Sequence, residues 1–470
     1  MSNTAKNIRD SLLIAAIAAG TLLPGIANLP VSDDFSWFLS TRQLAAMPWT
    51  TFLLQPAPFG YFRPVPMALF RLGYLLFGHN TMIYHAGIIV LHCANCLLAY
   101  ALIRRLRFGR QVALLSALIF AVLPCHAESL LWICCLNDVL ASFLLLLGFV
   151  CFLRSRTAWE TALAAVLFLA ALLCRESALC FIPLLALFHS RLILPGPRRT
   201  ALVMAAPALA YAAARIAWAA HLPAGSVLPS PGPLDLNPIH LAGRIGLDIV
   251  KTVFPVKTLL EVTGFGVYQS LRQVYSSPAE HTAAFLLLAA GGVAAAVAML
   301  ALAFYHSGRR MFFPLLLLLL GSVVYLPFHN TAERFLYFPS LGVALGLALV
   351  FAPGRSSQPR WLPVLTAALV TIYAGCFAHR TIRWAEAGRV TAQQVQYLHQ
   401  RAGGLSGVVI NGAPTMLKGV PFISKYTFGD TWEYTYPGHP LSFAFDTTAA
   451  PQQALVFSFD AGNNMLEAAP

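Results

Sequence analysis

The chain has 470 residues, of which 58% are hydrophobic and only 10% are charged. A soluble domain carries roughly a quarter charged residues, and the mean hydropathy here is +0.69, so a soluble enzyme, a coiled coil and a disordered chain are excluded. The net charge of +13 is dispersed without a long basic run. This argues against nucleic-acid binding and for the basic cytoplasmic loops of a polytopic membrane protein.

Apolar segments recur along the chain and predict an all-α polytopic membrane protein with about eleven transmembrane helices. The first segment follows Lys6 and Arg9 as a signal peptide would. It is long enough to span a bilayer and further spans follow, so we interpret it as a retained helix. The predicted spans lie at about 11–29, 81–103, 111–124, 129–153, 158–174, 177–194, 200–220, 283–305, 312–327, 335–352 and 362–378.

The charges between these spans alternate from side to side. Fifteen of the 31 Lys and Arg residues fall in the six short segments that an alternating path places on one side, and by the positive-inside rule that side is cytoplasmic. The N-terminus is then cytoplasmic and the C-terminus extracytoplasmic. Compact loops without an organelle signal favour a bacterial inner (plasma) membrane.

Longer segments fall on the extracytoplasmic side. Residues 64–78 and 238–256 are apolar but carry charged side chains, which predicts helices lying on the outer membrane surface. In the tail, 385–402 is typical of a polar helix, and two later runs alternate as half-buried strands do, at 441–446 and 454–460. We therefore expect a transmembrane catalytic domain over 1–383 and a small extracytoplasmic α/β domain over 384–470.

Two adjacent acids, Asp33 and Asp34, follow the first span. One Asp would suffice as a helix N-cap. Two neighbouring carboxylates beside hydrocarbon favour a function for at least one of them, because ionisable groups are costly there.

His126 and Glu128 lie at the outer end of the third span, in the sequence HAE. They either cap that span or hydrogen-bond a polar substrate, and we favour the second interpretation. Helical rise places Asp138 about 15 Å deeper, where an interhelical bond is favoured over catalysis. His85 and His92 are two turns apart and are expected to pack between helices.

Arginines next to acids mark the outer ends of later spans. Arg175 precedes Glu176, and Glu333 precedes Arg334. Each pair is either a structural ion pair or a place for phosphate, which a guanidinium group binds bidentately. The candidate substrate- or phosphate-binding residues are Arg63, Arg175, Arg334, His126, Glu128, Glu176, Glu333 and Tyr337.

Together these motifs resemble the GT-C superfamily of polytopic glycosyltransferases. Within it they are most similar to the transmembrane O-mannosyltransferases with tetratricopeptide repeats and their bacterial relatives. The matching segments are DDF at 33–35, YFRP at 61–64, LFGHNTMIYHAGIIVLH at 76–92, HAESLLW at 126–132, RESALCFIPLL at 175–185 and ERFLYFPSLG at 333–342.

The resemblance implies a GT-C-like fold and a polyprenyl-phosphate-linked sugar donor. It implies that Asp33 or Asp34 is the catalytic base. It also places two arginines near the lipid phosphate and a His/Glu pair in the donor or acceptor pocket, namely Arg175, Arg334, His126 and Glu128.

The chain departs from the family pattern in three places, one being the segment 411–424, which is only faintly similar to the periplasmic tail of the bacterial relatives. Leu136 and Asn137 precede Asp138 where the family usually has an Arg, which argues against a charge pair for Asp138. The repeats are absent, so an acceptor-binding role for them does not transfer.

The chemistry agrees with this resemblance. A lipid phosphate leaves as a stabilised anion, so it requires positive charge rather than a general acid, and one carboxylate base suffices where glycoside hydrolysis uses two. We expect inversion at the sugar, no cofactor, and arginine rather than metal. A divalent cation is the less favoured alternative, with Asp33, Asp34, His126 and Glu128 as its conceivable ligands. The expected partners are the donor, membrane lipids and an unidentified glycan, lipid or protein acceptor.

Three other functions stay open. A secondary transporter predicts charged sites near the membrane midplane and related sequence halves. A non-catalytic lipid-binding or assembly protein would tolerate loss of both Asp33 and Asp34. A different GT-C reaction would transfer a whole oligosaccharide or a phosphoethanolamine-like group.

Overall fold

The structure is a computed structural model, and its described residues cover most of the chain. They are 2–189, 200–222, 234–255, 312–322, 324–327, 332–351, 362–401, 407–412, 416–417, 420–422, 427–446, 454–460 and 465–468, with single positions between 258 and 305. The span predicted at 283–305, and most of the predicted loop 221–282, lie outside these residues.

Helices dominate the described part. They are α1 (Asn3–Leu22), α2 (Asp33–Gln43), α3 (Trp49–Phe52), α4 (Pro64–Phe77), α5 (Thr81–Arg105), α6 (Arg110–Val122), α7 (Ala127–Leu131), α8 (Leu136–Arg154), α9 (Ala158–Cys174), α10 (Phe181–His189), α11 (Thr200–Ala220), α12 (Pro238–Val253), α13 (Phe312–Ser322), α14 (Ser340–Phe351), α15 (Leu362–Arg401) and α16 (Phe428–Thr435). Short 3₁₀ turns connect several of them, at Leu23–Gly25, Pro58–Gly60, Pro124–His126, Ile133–Cys135, Glu176–Cys180 and Glu333–Leu336.

Several of these helices have the length and composition of membrane spans. In the described part, four segments are long and apolar enough to cross a bilayer, namely Thr4–Gly25, Thr81–Arg105, Ile133–Arg154 and Val364–Arg401. A fifth arises if α6 and the segment Pro124–Leu131, bent by 48°, are one broken span. Shorter apolar helices accompany them, among them α4, α9, α13 and α14. The chain is a multi-pass membrane protein, as its composition predicts.

The chain between α6 and α8 breaks into short pieces. Pro124 starts a 3₁₀ turn, α7 follows, and a second 3₁₀ turn precedes Leu136. The break within the helix predicted over 129–153 falls at Trp132, whose φ of −101° and ψ of 114° are extended, and α8 begins at Leu136. Asp138 lies in the first turn of α8 and within the candidate span Ile133–Arg154.

We call the end of the bundle where most of these 3₁₀ turns gather the site end. The turns Pro124–His126 and Glu333–Leu336 contact each other there, and Ile133–Cys135 contacts α2. At the opposite end, Asp10 is buried and accepts hydrogen bonds from Tyr100 (3.1 Å) and Arg110 (2.5 Å). This bond set joins α1, α5 and α6.

The segment between α1 and α2 packs tightly against two neighbours. A Cβ atom on Gly388 of α15 would lie 2.9 Å from the carbonyl oxygen of Leu29, and one on Gly25 would lie 2.9 Å from Leu131. Glycine at 388 permits close approach to the backbone of Leu29, whereas the neighbour of Gly25 is the side chain of Leu131. These contacts fix the chain just before Asp33.

The tail forms a small sheet beside the long helix α15. Strands β1 (Gly407–Asn411), β4 (Ser442–Phe445), β5 (Ala454–Asp460) and β6 (Met465–Ala468) pair in the order β4-β1-β5-β6, and β2 (Met416–Leu417) and β3 (Val420–Pro421) form a separate pair. β1 is parallel to β4 and β5, whereas β6 is antiparallel to β5. Both predicted tail strands are confirmed. α15 crosses the predicted domain boundary at 383/384 without a break.

The hydrophobic core is continuous between the bundle and this tail. One cluster of buried side chains includes Phe38 of α2, Phe428 and Trp432 of α16, and Val408 of β1. The sheet therefore lies docked on the site end of the bundle through α2 and α15.

Candidate active site

The two acids after α1 begin helix α2, and a strained residue precedes them. Ser32 has φ 47° and ψ −118°, a conformation that costs a non-glycine residue free energy and that clusters at functional sites. Ser32 Oγ donates a hydrogen bond to Asp33 at 3.2 Å. The strained residue thus directly precedes the two acids at the start of α2.

Asp34 is a structural anchor. It is 1% exposed, and both of its carboxylate oxygens are occupied. Oδ2 accepts the backbone N–H of Val31 at 3.0 Å, and Oδ1 accepts that of Cys134 at 2.7 Å. Burial raises the pKa of Asp34 to about 8, against the lowering effect of these N–H donors. Asp34 thus ties α2 to the start of α8 and presents no free oxygen to a substrate.

Asp33, in contrast, is partly exposed. Its one hydrogen bond among the described residues comes from Ser32. Burial raises the pKa of Asp33, while the positive charge of Arg334 and the hydrogen bond from Ser32 lower it. The negative charges of Glu128 and Asp430 repel the Asp33 carboxylate and so raise its pKa. Asp33 is therefore an accessible carboxylate in the field of an arginine.

Arg334 and Glu128 form an ion pair beside Asp33. Arg334 Nη1 donates to Glu128 Oε1, and the backbone N–H of Glu333 donates to Glu128 Oε2 at 3.1 Å. The guanidinium of Arg334 lies over the Trp132 ring at 5.2 Å. The Glu128 side chain is 3% exposed but that of Arg334 is 23% exposed, so the charge that reaches the surface is positive.

A second ion pair joins α8 to the turn after α9. Arg175 Nη1 donates to Asp138, and Arg175 Nε donates to the hydroxyl of Tyr325 at 2.9 Å. Both charged side chains are at most 8% exposed. Tyr325 stacks on Phe335 with ring centroids 4.2 Å apart. This pair contradicts the expectation, drawn from the residues before Asp138, that Asp138 has no charge partner.

A cavity lies between these two pairs. It is small and partly open, and Asp138, Tyr325, Arg334 and Phe335 are among its lining residues. The cavity therefore has arginine and aromatic groups in its wall close to the accessible face of Arg334.

Glu176 accepts a hydrogen bond from Arg63 and forms a longer ion pair with Arg215. Arg63 Nη2 lies 3.4 Å and Arg215 Nη1 3.7 Å from its carboxylate oxygens. Arg63 also covers the ring of Tyr61 at 4.2 Å. Arg175, Glu176 and Arg334 thus each have an ion-pair partner in a distant segment.

His126 and Tyr337 lie behind the site in a buried polar network. His126 Nε2 is 2.7 Å from Ser340 Oγ, and Tyr337 Oη is 2.7 Å from His92 Nδ1. Asn95 donates to Tyr337 at 3.1 Å. His126 is 0% and Tyr337 1% exposed, so neither side chain reaches the surface.

Two other predicted features have structural partners. His85 bonds the backbone oxygen of Asn28 at 3.2 Å, so it packs between helices as predicted. Trp132 donates its indole N–H to Val31 at 3.2 Å and is 4% exposed. Trp132 therefore supports the segment before Asp33.

The four residues considered as cation ligands do not converge on one point. Asp34 is bonded to backbone and His126 to Ser340. Among the described residues, no group of three or more His, Cys, Asp or Glu side chains is placed to hold a metal ion.

Sequence reasoning missed four residues of this site. They are Ser32, Tyr325, Phe335 and Asp430. Tyr325 lies in an apolar stretch, and Phe335 follows Arg334 in the ERFLYF segment but has no polar group of its own. The strain at Ser32 and the approach of Asp430 are tertiary features that no local motif indicates.

The chain is similar in part to known proteins. No protein-family profile matches the chain. Protein O-mannosyl-transferase Tmtc1 of Drosophila melanogaster is 32% identical over 134 residues, which cover 28% of this chain and 16% of the relative. Protein O-mannosyl-transferase TMTC1 of Mus musculus is 38% identical over 95 residues, 20% of this chain and 10% of the relative. The matched segments thus span less than a fifth of either relative.

Among solved structures, ArnT from Cupriavidus metallidurans, crystallised with undecaprenyl phosphate, covers the chain almost throughout. The TM-score is 0.50 at 11% identity, over 98% of this chain and 94% of that one. The chain has a GT-C-like fold. The fold class predicted from the motifs is confirmed, and so is the resemblance to the O-mannosyltransferases. Within the GT-C-like fold, the candidate site lies where the first loop meets the broken segment before α8.

Proposed function

We propose that this chain is a GT-C glycosyltransferase. It transfers a hexose from a polyprenyl-phosphate-linked donor to a hydroxyl group of an extracytoplasmic acceptor, with inversion at the anomeric carbon. The similarity to O-mannosyl-transferases supports sugar transfer. The observation that carries the proposal is the partly exposed Asp33 in the field of Arg334, whose own acid partner is buried.

Asp33 is the proposed general base. Its carboxylate accepts the proton of the acceptor hydroxyl while that oxygen attacks the anomeric carbon from the face opposite the phosphate. The bond between the anomeric carbon and the phosphate oxygen breaks, and its electron pair stays on the phosphate. Asp34 does not take this role because backbone N–H groups occupy both of its oxygens.

Arg334 is the proposed principal ligand of the leaving phosphate. Its side chain is 23% exposed, whereas that of Arg175 is 8% exposed and is committed to Asp138 and Tyr325. A guanidinium group in a partly desolvated site stabilises the charge that develops on the leaving oxygen. Arg63 and Arg175 extend the positive field, and Glu128, Glu176 and Glu333 belong to the wall that holds the arginines.

The site end faces the extracytoplasmic side in this proposal. The opposite end carries Arg104, Arg105 and Arg110, which the positive-inside rule assigns to the cytoplasm. We place the chain in a bacterial inner membrane with a cytoplasmic N-terminus. Its partners are the lipid-linked donor, membrane lipids and a glycan, lipid or protein acceptor, and no cofactor or metal takes part in the chemistry.

A donor panel tests this function. Purified wild-type protein in detergent is incubated with polyprenyl phosphates carrying mannose, glucose, galactose or aminoarabinose, and released polyprenyl phosphate is measured by mass spectrometry. We expect release from at least one hexose donor, with water or added glycerol as acceptor. Release from none of the donors, together with specific solute uptake into proteoliposomes, would show that the chain is a transporter instead.

A further inference from the structure

The small C-terminal sheet domain holds the helix that carries Asp33. Arg42 of α2 donates to the backbone oxygens of Glu433 (2.9 Å) and Tyr434 (3.0 Å), in the last turn of α16. The carbonyl end of a helix is negative, so a guanidinium group is favourable there. Gln43 adds a side-chain bond to Glu433 at 2.8 Å.

Aromatic rings extend this contact along α2. The Tyr434 ring stacks on Phe38 at 5.8 Å and meets the edge of Phe35 at 5.5 Å. Phe35 and Phe38 are both buried. The interface between α2 and α16 is therefore packed as well as hydrogen-bonded.

The contact nearest to the candidate base is polar. Ser36 Oγ donates to Asp430 Oδ2, and Ser36 is buried while Asp430 is partly exposed. Residues three apart share one face of a helix, so Ser36 lies on the same face as Asp33. Asp430 thus bonds α2 one turn from the carboxylate proposed to take the acceptor proton.

The domain does not need this contact in order to stay attached. Its strand β6 bonds α15, where the Leu466 N–H donates to Gln394 at 2.8 Å. Within the domain, Trp432 packs on Phe443 at 5.8 Å and donates to the backbone of His439 at 2.7 Å. The bond between Ser36 and Asp430 is therefore separable from the fold of the domain.

We propose that the C-terminal domain is a positioning element of the catalytic site, and that Asp430, through Ser36, holds α2 so that Asp33 meets the acceptor hydroxyl. The proposal rests on the proposed function. The domain is then expected to affect turnover, because α2 carries the base. It is expected not to affect donor binding, because the arginines of the bundle bind the donor.

Asp430 also contributes charge. The charged and titratable groups that act on Asp33 are Arg334 and Glu128 of the bundle, Asp34 and Cys134 at the α2–α8 contact, and Asp430 of α16. The negative charge of Asp430 raises the pKa of Asp33. Removal of the Asp430 charge therefore lowers the pKa of Asp33. The base then stays deprotonated at lower pH, so the acid limb, which is the fall of kcat on the acidic side of its pH profile, moves to lower pH.

Four variants of the full chain separate the bond from the charge. Ser36→Ala breaks the bond between Ser36 and Asp430 but keeps the negative charge of Asp430. The plateau of kcat is therefore expected to fall about tenfold or more, while the pH of the acid limb is unchanged. Asp430→Asn keeps an acceptor and removes the charge, so the plateau stays and the limb moves to lower pH. Asp430→Ala shows both effects, and Asp430→Glu restores the limb. The matched control is Thr435→Ala, an exposed position on the same helix whose hydroxyl bonds the Thr431 carbonyl within that helix, with wild-type behaviour.

The measurements are kcat and KM for a polyprenyl-phosphate hexose with water as acceptor, from pH 4 to 9, and amide hydrogen exchange over 33–43. We expect an unchanged donor KM and faster exchange in Ser36→Ala and Asp430→Ala. Unchanged exchange in both, or a rise of donor KM with kcat constant, would overturn the positioning role. A wild type without activity overturns the proposed function instead, and the exchange result still decides the role of Asp430.

Discussion

Asparagine at position 33 is expected to abolish sugar transfer without affecting the fold, whereas asparagine at position 34 is expected to affect the fold. Loss of a general base lowers the rate by about 10²- to 10⁴-fold. Asp33 is partly exposed and has one side-chain bond, so Asp33→Asn should keep the wild-type melting temperature. The comparison requires release of polyprenyl phosphate and thermal unfolding for both variants.

The expected cost at Asp34 follows from its two backbone donors. An asparagine amide replaces one acceptor oxygen by an N–H₂ group that faces the N–H of Val31 or Cys134. A buried donor left without an acceptor costs about 1–3 kcal/mol of unfolding free energy. Equal melting temperatures for the two variants, with activity lost only in Asp34→Asn, would assign the base to Asp34.

The pH dependence of transfer has a defined sign. The proposed base acts when it is deprotonated, and burial raises the pKa of Asp33 above the ordinary value for an aspartate. Activity is therefore present above that raised pKa and is lost as the pH falls through it. Arg334 lowers the pKa of Asp33, so neutralising Arg334 should move the loss to higher pH.

Arg334 and Arg175 are expected to respond differently when each is removed together with its acid partner. Replacing one member of a buried ion pair leaves a charge that costs about 3–5 kcal/mol, whereas replacing both is often neutral for stability. The double variants Arg334→Met/Glu128→Gln and Arg175→Met/Asp138→Asn should therefore both fold.

Only the first double variant should lose activity. Arg334 is the exposed cation beside Asp33, so we expect a fall in kcat of about 10²- to 10³-fold, and Arg334→Lys should not restore it because an ammonium lacks the planar fork. The second double variant should retain activity within tenfold. If the Arg175→Met/Asp138→Asn variant lost activity and the Arg334→Met/Glu128→Gln variant kept it, the leaving phosphate would be assigned to Arg175 instead of Arg334.

The sequence predicts the helices and the outer residues because both have local causes. Apolar runs form the spans, and polar groups next to them are costly unless they are used or paired. The side-chain pairing has no local cause. Asp138 meets Arg175 across 37 positions, and Glu128 meets Arg334 across 206. Neighbours such as Arg175 and Glu176 looked like partners, but each pairs with a distant segment.

The roles of the two adjacent acids also needed the structure. Successive side chains on a helix point about 100° apart, so one of Asp33 and Asp34 turns to the backbone of Cys134 and the other stays accessible. The sequence does not indicate which, because the direction depends on the φ of Ser32 and on the broken segment before α8. Asp430 gave no signal because it lies 394 positions from Ser36.

The anomeric configuration of the first product tests the central claim most directly. A hexosyl donor of defined β configuration at the phosphate is hydrolysed or transferred to glycerol, and the product is read by NMR before mutarotation. One carboxylate base and direct displacement predict the α product. A β product would contradict the account, because retention requires a covalent intermediate with a second nucleophile.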